Sequence, residues 1–344
     1  MTTTPRSVLL IYTGGTIGMV ADPRSGELRP MDMAHLEEQV PELARMGVHL
    51  EAVSFDEPMD SSNIGPVEQL RIAALIGEHY ERFDGFVVLH GSDTMAYTAS
   101  ALSFLLEGLS KPVILTGSQL PVGVIRTDAR ENLVTAIEVA AARDNEGRAM
   151  VPEVAIYFEY TLLRGNRTVK VDAQRFEAFR SPNWPALAEA GVRIRYNASA
   201  ILPQRAGPLK VHTNLDDRLA VIRLYPGIRS AWVQHALAMA DLRAVILTTF
   251  GSGNGPTAQD LLRCLQEARD RGVHLLNVTQ CIGGRVEQGR YSTSMALRDM
   301  GVVPCGDMTM EAAVSKTMFL LAQDPTDGWT KGMGQVLAGE LTLA

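Results

Sequence analysis

Four apolar residues, Phe86-Val87-Val88-Leu89, run from Gly85 into His90-Gly91-Ser92-Asp93-Thr94, and this passage restricts the fold more than any other in the chain. The run is too short for a helix and suits a strand buried on both faces of a parallel sheet. The amphipathic stretch 96–109 that follows reads as a helix. Open α/β sheets hold their ligands beyond the carboxyl ends of their strands. A hydroxyl, a carboxylate and a second hydroxyl therefore stand where chemistry is expected.

The same alternation recurs along the chain. Residues 7–12 read as the first buried strand, ended by Thr13-Gly14-Gly15-Thr16-Ile17-Gly18, where glycines permit a turn that exposes Thr16. Residues 19–33 carry Pro23, Gly26 and Pro30 among charges and have no apolar period. They read as a long connection without regular structure, either a lid or a surface loop. A helix is expected over 34–46 and a strand over 48–55, with the polar cluster Asp60-Ser61-Ser62 beyond it. A helix with Leu70, Ala73, Ile76, Tyr80 and Phe83 on one face then leads back to 86–89. Strand 112–116 ends in Thr116-Gly117-Ser118-Gln119 and is followed by a helix over 128–143 and a strand over 154–158. Residues 163–185, rich in Arg, Asn and Pro, show no regular pattern.

With 344 residues, 46% of them hydrophobic and 21% charged, the chain exceeds the size at which one core usually stops growing. Proline, glycine and polar residues interrupt the apolar runs over 203–217, which divides the chain into an N-terminal α/β domain (1–202), a linker (203–217) and a C-terminal α/β domain (218–344). In the latter, 220–224, 244–248 and 273–278 read as parallel strands. Thr257 with Asp260 has the spacing of a capping box, Leu261, Leu262, Leu265 and Ala268 form the helix's apolar face, and Gly272 suits its end. Helices over 309–323 and 325–337 are expected to close the chain.

A net charge of −7, with no basic cluster interleaved with aromatics, argues against a nucleic-acid partner. No run has membrane-spanning length and the N-terminus lacks a signal-peptide pattern, so a cytoplasmic protein without a membrane partner is expected. Cys264, Cys281 and Cys305 lack CxxC spacing and the seven histidines lack HxxxH spacing. No metal is expected, and the thiols are expected to be reduced and mostly buried.

Thr16, Asp60 with Ser61 and Ser62, Ser92 with Asp93, and Ser118 all fall at strand ends of the first domain. Each hydroxyl alone is ordinarily a turn or cap residue, and Asp93 alone a helix N-cap. Their coincidence at one sheet edge is what suggests chemistry. A nucleophilic hydroxyl needs a base, and Lys170 can serve if folding brings it to Ser92. His90, in an apolar strand, reads as a satisfied core residue. Arg164, Arg167 and Lys170 otherwise read as a solvated loop making surface pairs. Gly251-Ser252-Gly253-Asn254-Gly255-Pro256 has Pro256 where a dinucleotide loop needs glycine.

The motifs Tyr12-Thr13-Gly14-Gly15-Thr16-Ile17-Gly18, Asp60-Ser61-Ser62, Leu89-His90-Gly91-Ser92-Asp93-Thr94-Met95, Thr116-Gly117-Ser118-Gln119, Arg164-Gly165-Asn166-Arg167-Thr168-Val169-Lys170 and Asn277-Val278-Thr279-Gln280-Cys281 resemble those of the bacterial type I (cytoplasmic) L-asparaginases, along nearly the whole chain. The resemblance implies a two-domain asparaginase-like α/β fold: a larger N-terminal domain with a mostly parallel sheet and a smaller C-terminal Rossmann-like domain with a parallel sheet. It further implies a homodimer or homotetramer that hydrolyses L-asparagine to L-aspartate and ammonia without a cofactor. By that resemblance Thr16 is the nucleophile that forms a β-acyl-enzyme, and Ser92, Asp93 and Lys170 form the proton-transfer group. Asp93, Asp60, Ser61 and Ser62 would hold the amino-acid head group, Ser118 would line the site, and Asn254 would reach a neighbouring subunit's site.

Three departures accompany the resemblance. Ser92 stands where the family has threonine, which keeps the hydroxyl but loses the methyl that restricts its rotamer. Residues 19–33 contain no tyrosine, although many family members carry one in the lid, and Tyr12 lies in the preceding strand. Some type I enzymes are activated by asparagine bound in the second domain. Here Thr279, Gln280 and Cys281 are kept, but Thr248 replaces the arginine that would clamp the α-carboxylate, so activation is expected to be weak or absent. The alternatives are a broader glutaminase-asparaginase, an asparagine-binding regulatory protein impaired by Ser92, and the archaeal amidotransferase subunit that shares this core.

Overall fold

The computed structural model of the chain describes residues 5–21, 28–30, 36, 38–289, 291–324 and 326–343. These form two compact units, Met1–Thr213 and Asn214–Ala344. The first holds β1 (Arg6–Gly14), β2 (Met19–Ala21), β3 (Leu28–Pro30), β4 (Val48–Met59), β5 (Gly85–Leu89), β6 (Leu106–Glu107), β7 (Val113–Thr116), β8 (Val154–Phe158), β9 (Thr161–Arg164), β10 (Val169–Lys170), β11 (Phe179–Arg180), β12 (Ala188–Glu189), β13 (Arg195–Tyr196) and β14 (Lys210–Val211). Eight of these make one sheet in the order β13-β12-β9-β8-β7-β5-β1-β4. From β4 to β8 all neighbours are parallel, while β9, β12 and β13 extend the sheet antiparallel.

The side chains alternate between the two faces, as the two-residue period of a strand requires. Val8, Leu10, Tyr12, Val87, Leu89, Ile114, Ala155 and Tyr157 point to the face covered by the helix Ala129–Ala141. Leu9, Ile11, Phe86, Val88, Val113, Leu115 and Ile156, on the other face, are equally inaccessible to solvent. Burial on both sides explains why the strands read as unbroken apolar runs. Each fully buried Val, Leu or Ile contributes about 1.5–3 kcal/mol.

The parallel strands follow the order of a doubly wound sheet: from β1 the chain steps to β4 on one side, then crosses to β5, β7 and β8 on the other. The direction of winding changes between β1 and β5, where such folds open a crevice at the carboxyl ends of the strands. Topology alone thus sets Thr16 and Ser92-Asp93 on the two sides of one crevice.

The second unit carries β15 (Leu219–Arg223), β16 (Ala244–Thr249), β17 (His274–Thr279) and β18 (Val303–Pro304) in one parallel sheet of that order. Val245, Leu247 and Leu275 pack with Leu261, Leu265 and Ala268 of the helix Gln259–Asp270. Ile246, Leu276 and Val278 pack on the opposite face with Ala312 and Ala313 of the helix Met310–Gln323. Both units are therefore α/β layers, as expected.

Local expectations are corrected at several points. The segment 19–33 is not without regular structure, because β2 and β3 pair antiparallel; residues 22–27 and 31–33 lie outside the described residues. Of the helix expected over 34–46, residues 34, 35 and 37 lie outside them too, Leu36, Glu38 and Gln39 are helical, and Leu43–Arg45 is a 3-10 turn. The helix after β5 ends at Leu105 rather than 109, since Leu106–Glu107 pairs with β14. The capping box at Thr257 does not form: the helix begins after Ala258, and the Asp260 carboxylate accepts from the Ser230 hydroxyl and the Leu261 amide. The last helix is only Thr330–Met333, with Pro325 outside the described residues. The helices Ser230–Leu237 and Ser292–Asp299 lie in stretches the sequence pattern left unassigned.

Candidate active site

The turn that follows β1 is shaped by its contact with the turn that follows β5. Gly15 has φ +85°, and a Cβ there would lie 2.5 Å from the Gly91 amide nitrogen. Thr13 Oγ1 donates to the Leu89 carbonyl at 3.0 Å, fixing the two strands just before their turns. Thr16 opens the 3-10 turn Thr16–Gly18 and is half-buried. Tyr12 lies beneath it, donating from its hydroxyl to the Gly18 carbonyl at 3.1 Å, and burial pushes its phenol up to about 12.

Lys170 in β10 points back at the β5 turn. Its Nζ lies 2.9 Å from Ser92 Oγ and 2.6 Å from Asp93 Oδ1. Lysine thus meets serine and aspartate, which spacing alone does not establish. Asp93 is not the N-cap that its position suggests: the cap residue is Thr94, and the Asp93 carboxylate pairs with Lys170. The β10 segment is anchored by the buried 3-10 turn Gly165–Arg167, which packs against the helix Met95–Leu105. Here the expectation of a solvated basic loop is overturned. Arg164 is 2% exposed and Arg167 is 1% exposed; Arg164 Nε donates to Glu153 Oε2 at 2.6 Å, and both guanidiniums lie over the Trp184 ring. A buried guanidinium requires a partner of opposite charge, and Glu153 supplies one.

Beyond β4, Asp60 caps the 3-10 turn Ser61–Asn63, its Oδ1 accepting from the Ser62 amide at 2.8 Å and the Ser62 hydroxyl at 2.7 Å. Those hydrogen bonds hold its carboxyl below the ordinary range, so it is an anion at neutral pH. Ser61 is buried against Gly91, where a Cβ would come within 2.6 Å of its hydroxyl oxygen. Beyond β7, Ser118 is buried and donates to the Leu120 carbonyl at 2.6 Å. Asp128 and Asn132, which sequence reasoning missed, hold this loop: the Asp128 carboxylate accepts from the Gln119 and Leu120 amides, and Asn132 Nδ2 donates to the Gly117 carbonyl at 3.0 Å. The only advance signal was Asp128 at a helix start, and its side chain serves the neighbouring loop instead.

His90 is a core residue, its ring nitrogens at 2.7 Å from the Gly91 carbonyl and 2.9 Å from Thr98 Oγ1. Complete burial lowers its pKa to about 4, which keeps the imidazole neutral. Among the described residues no group of three or more His, Cys, Asp or Glu could hold a metal ion.

In the second unit, Thr279 Oγ1 donates to the Gly251 carbonyl at 2.5 Å and Gln280 Nε2 to the carbonyls of Leu224 and Thr248. Cys264 and Cys305 are buried and Cys281 is exposed, so the thiols are mostly buried, as expected. The Thr248 hydroxyl is buried with no hydrogen-bond partner among the described residues. Asn254 Oδ1 accepts from the Thr293 hydroxyl at 2.9 Å.

Residues 7–202 match the asparaginase N-terminal family model, and 218–328 match the glutaminase/asparaginase C-terminal domain. The chain belongs to the asparaginase family. It is similar to L-asparaginase 1 of Escherichia coli K12, with 43% identity over 98% of each chain. It is also similar to a 60 kDa lysophospholipase of Mus musculus, with 40% identity over 98% of this chain and 63% of that protein. The crystal structure of L-asparaginase I from Vibrio cholerae superimposes with a TM-score of 0.88 at 40% identity, covering 98% of this chain and all of that one.

Proposed function

We propose that the chain is an L-asparagine amidohydrolase that yields L-aspartate and ammonia through a β-acyl-enzyme on Thr16. The observation that carries this reading is the contact of Lys170 with both Ser92 and Asp93, at the sheet edge that bears Thr16. A hydroxyl hydrogen-bonded to an amine is arranged for proton transfer, and a nucleophile needs such a relay at neutral pH.

The Thr16 oxygen adds to the side-chain amide carbon of the substrate, and its proton enters the Ser92–Lys170 pair. The C–N bond then breaks, and the amide nitrogen leaves as ammonia, taking up the proton that Thr16 gave to that pair. Water adds to the resulting ester, the C–O bond breaks, and a proton from that water returns to Thr16 as aspartate departs. Asp93 and the ionised Asp60 oppose the substrate's α-ammonium, with Ser61 and Ser62 completing the head-group turn and Ser118 lining the far wall. The reaction needs no cofactor. Through its family the chain is a cytoplasmic homodimer or homotetramer, with Asn254 directed at a neighbouring subunit's site. Among the described residues no helix is long and apolar enough to cross a membrane.

Ammonia release from L-asparagine and L-glutamine, with fatty-acid release from a lysophospholipid run alongside, tests the reading. Rapid asparagine turnover with little from glutamine is expected, lost in Thr16→Ala. The rate curve is expected to be hyperbolic, because Thr248 has no guanidinium to clamp an activating asparagine. Comparable glutamine turnover would make the protein a broader glutaminase-asparaginase. Absence of any amide turnover would overturn the enzymatic reading.

A further inference from the structure

Thr94 begins the helix Met95–Leu105 and yet does not cap it. It occupies the N-cap position, its carbonyl accepts from the Thr98 amide at 3.1 Å, and its side chain makes no cap hydrogen bond. A threonine at this position ordinarily satisfies one of the helix's free amides, and losing that bond is unfavourable. The Thr94 hydroxyl turns away from the helix and donates to the Ser61 carbonyl at 2.5 Å, 33 residues back in the chain. The same carbonyl accepts from the Ile64 amide at 3.1 Å, closing the 3-10 turn Ser61–Asn63. Both lone pairs of Ser61 are thereby used, one within its own turn and one across to the β5 turn.

We propose that Thr94 is a positioning residue that ties the head-group turn of Asp60, Ser61 and Ser62 to the turn bearing Ser92 and Asp93. The inference deepens the amidohydrolase reading and rests on it for the identity of the ligand. Asp60 and Asp93 lie in the turns that follow β4 and β5, strands that are not neighbours, because β1 stands between them. No ladder hydrogen bond therefore sets the distance between the two carboxylates that share the substrate's α-ammonium. The tether does so together with the close packing of Gly91 on Ser61, where any Cβ would meet the serine side chain. Because the hydroxyl's partner is the backbone carbonyl of Ser61 in the head-group turn, its loss is expected to act on the grip of the head group and to leave the chemical step nearly unchanged.

Thr94→Val removes the hydroxyl at nearly constant shape, and Thr94→Ser keeps it. For Thr94→Val, KM for L-asparagine is expected to rise about tenfold, equivalent to about 1.4 kcal/mol, while kcat stays within about threefold of the parent. Thr94→Ser is expected to behave as the parent. Amide hydrogen exchange over 60–64, which requires no turnover, is expected to quicken in Thr94→Val and not in Thr94→Ser. Exchange equal in both variants and the parent overturns the tether. Faster exchange with an unmoved KM in an active parent overturns the positioning role. Faster exchange in a parent that hydrolyses no asparagine supports the tether and removes the amidohydrolase reading instead.

Discussion

Gly15→Ala is expected to lower kcat for L-asparagine about 100-fold in a protein that still folds. The added methyl would start 2.5 Å from the Gly91 nitrogen and 2.6 Å from the Gly91 Cα, against the 3.4 Å at which ordinary contact begins. Relief requires the turns after β1 and β5 to part by about 0.9 Å, since the opposing atoms are backbone and have no rotamer to change. The strands beneath cannot absorb this by sliding, because the parallel ladder from Val8–Gly85 to Tyr12–Leu89 and the Thr13 hydroxyl bond hold them in register. The displacement falls between Thr16 and Ser92. A misplacement of about 1 Å at reacting groups costs roughly 10²-fold, or about 2.7 kcal/mol of barrier. The left-handed φ of +85° adds roughly 1–2 kcal/mol of folding strain for alanine. Steady-state ammonia release gives kcat, and a thermal melt checks that the variant is folded. A folded Gly15→Ala protein with kcat within about threefold of the parent would refute the view that this contact sets the catalytic geometry.

Two further outcomes are expected. Ser92→Thr restores a rotamer-restricting methyl beside Lys170 and should raise kcat by roughly two- to fivefold, since a β-branched side chain is stiffer at χ1; ammonia release that is no faster than the parent's contradicts this. Lys316→Met should destabilise the second unit by about 3–5 kcal/mol in urea denaturation, because it strands the fully buried Glu340 carboxylate that now pairs with Lys316. The double variant Lys316→Met with Glu340→Leu should recover most of that loss, and a single-variant effect below about 1 kcal/mol refutes the role given to the pair.

Much of the sheet was legible because its strands are buried on both faces. A run such as Val113–Thr116, bounded by Pro112 and Gly117, has little alternative to being an interior strand. The hydroxyls and carboxylates at the tips were legible for the same reason, since a doubly wound sheet sets every tip along one edge. What the sequence left hidden are partnerships between distant residues. Arg164 and Arg167 look like surface charge until Glu153 and Trp184 are folded against them. Lys316 sits in an apolar helix face without visible reason until Glu340 meets it. Thr94 and Asp128 stand at helix starts and look like caps, while their side chains bind the neighbouring tips. Helix Ser292–Asp299 was hidden by short polar residues, which favour turns as readily as a first helical turn.

In the proposed reaction Thr16 forms the acyl bond with Ser92 and Lys170 assisting. Its most direct test is rapid denaturing quench of the protein during asparagine turnover, followed by mass spectrometry of its peptides. A mass increase of one aspartyl group on the peptide containing Thr16, lost in Thr16→Ala, is the predicted result. The same increase on the Ser92 peptide, with none on the Thr16 peptide, would contradict the account.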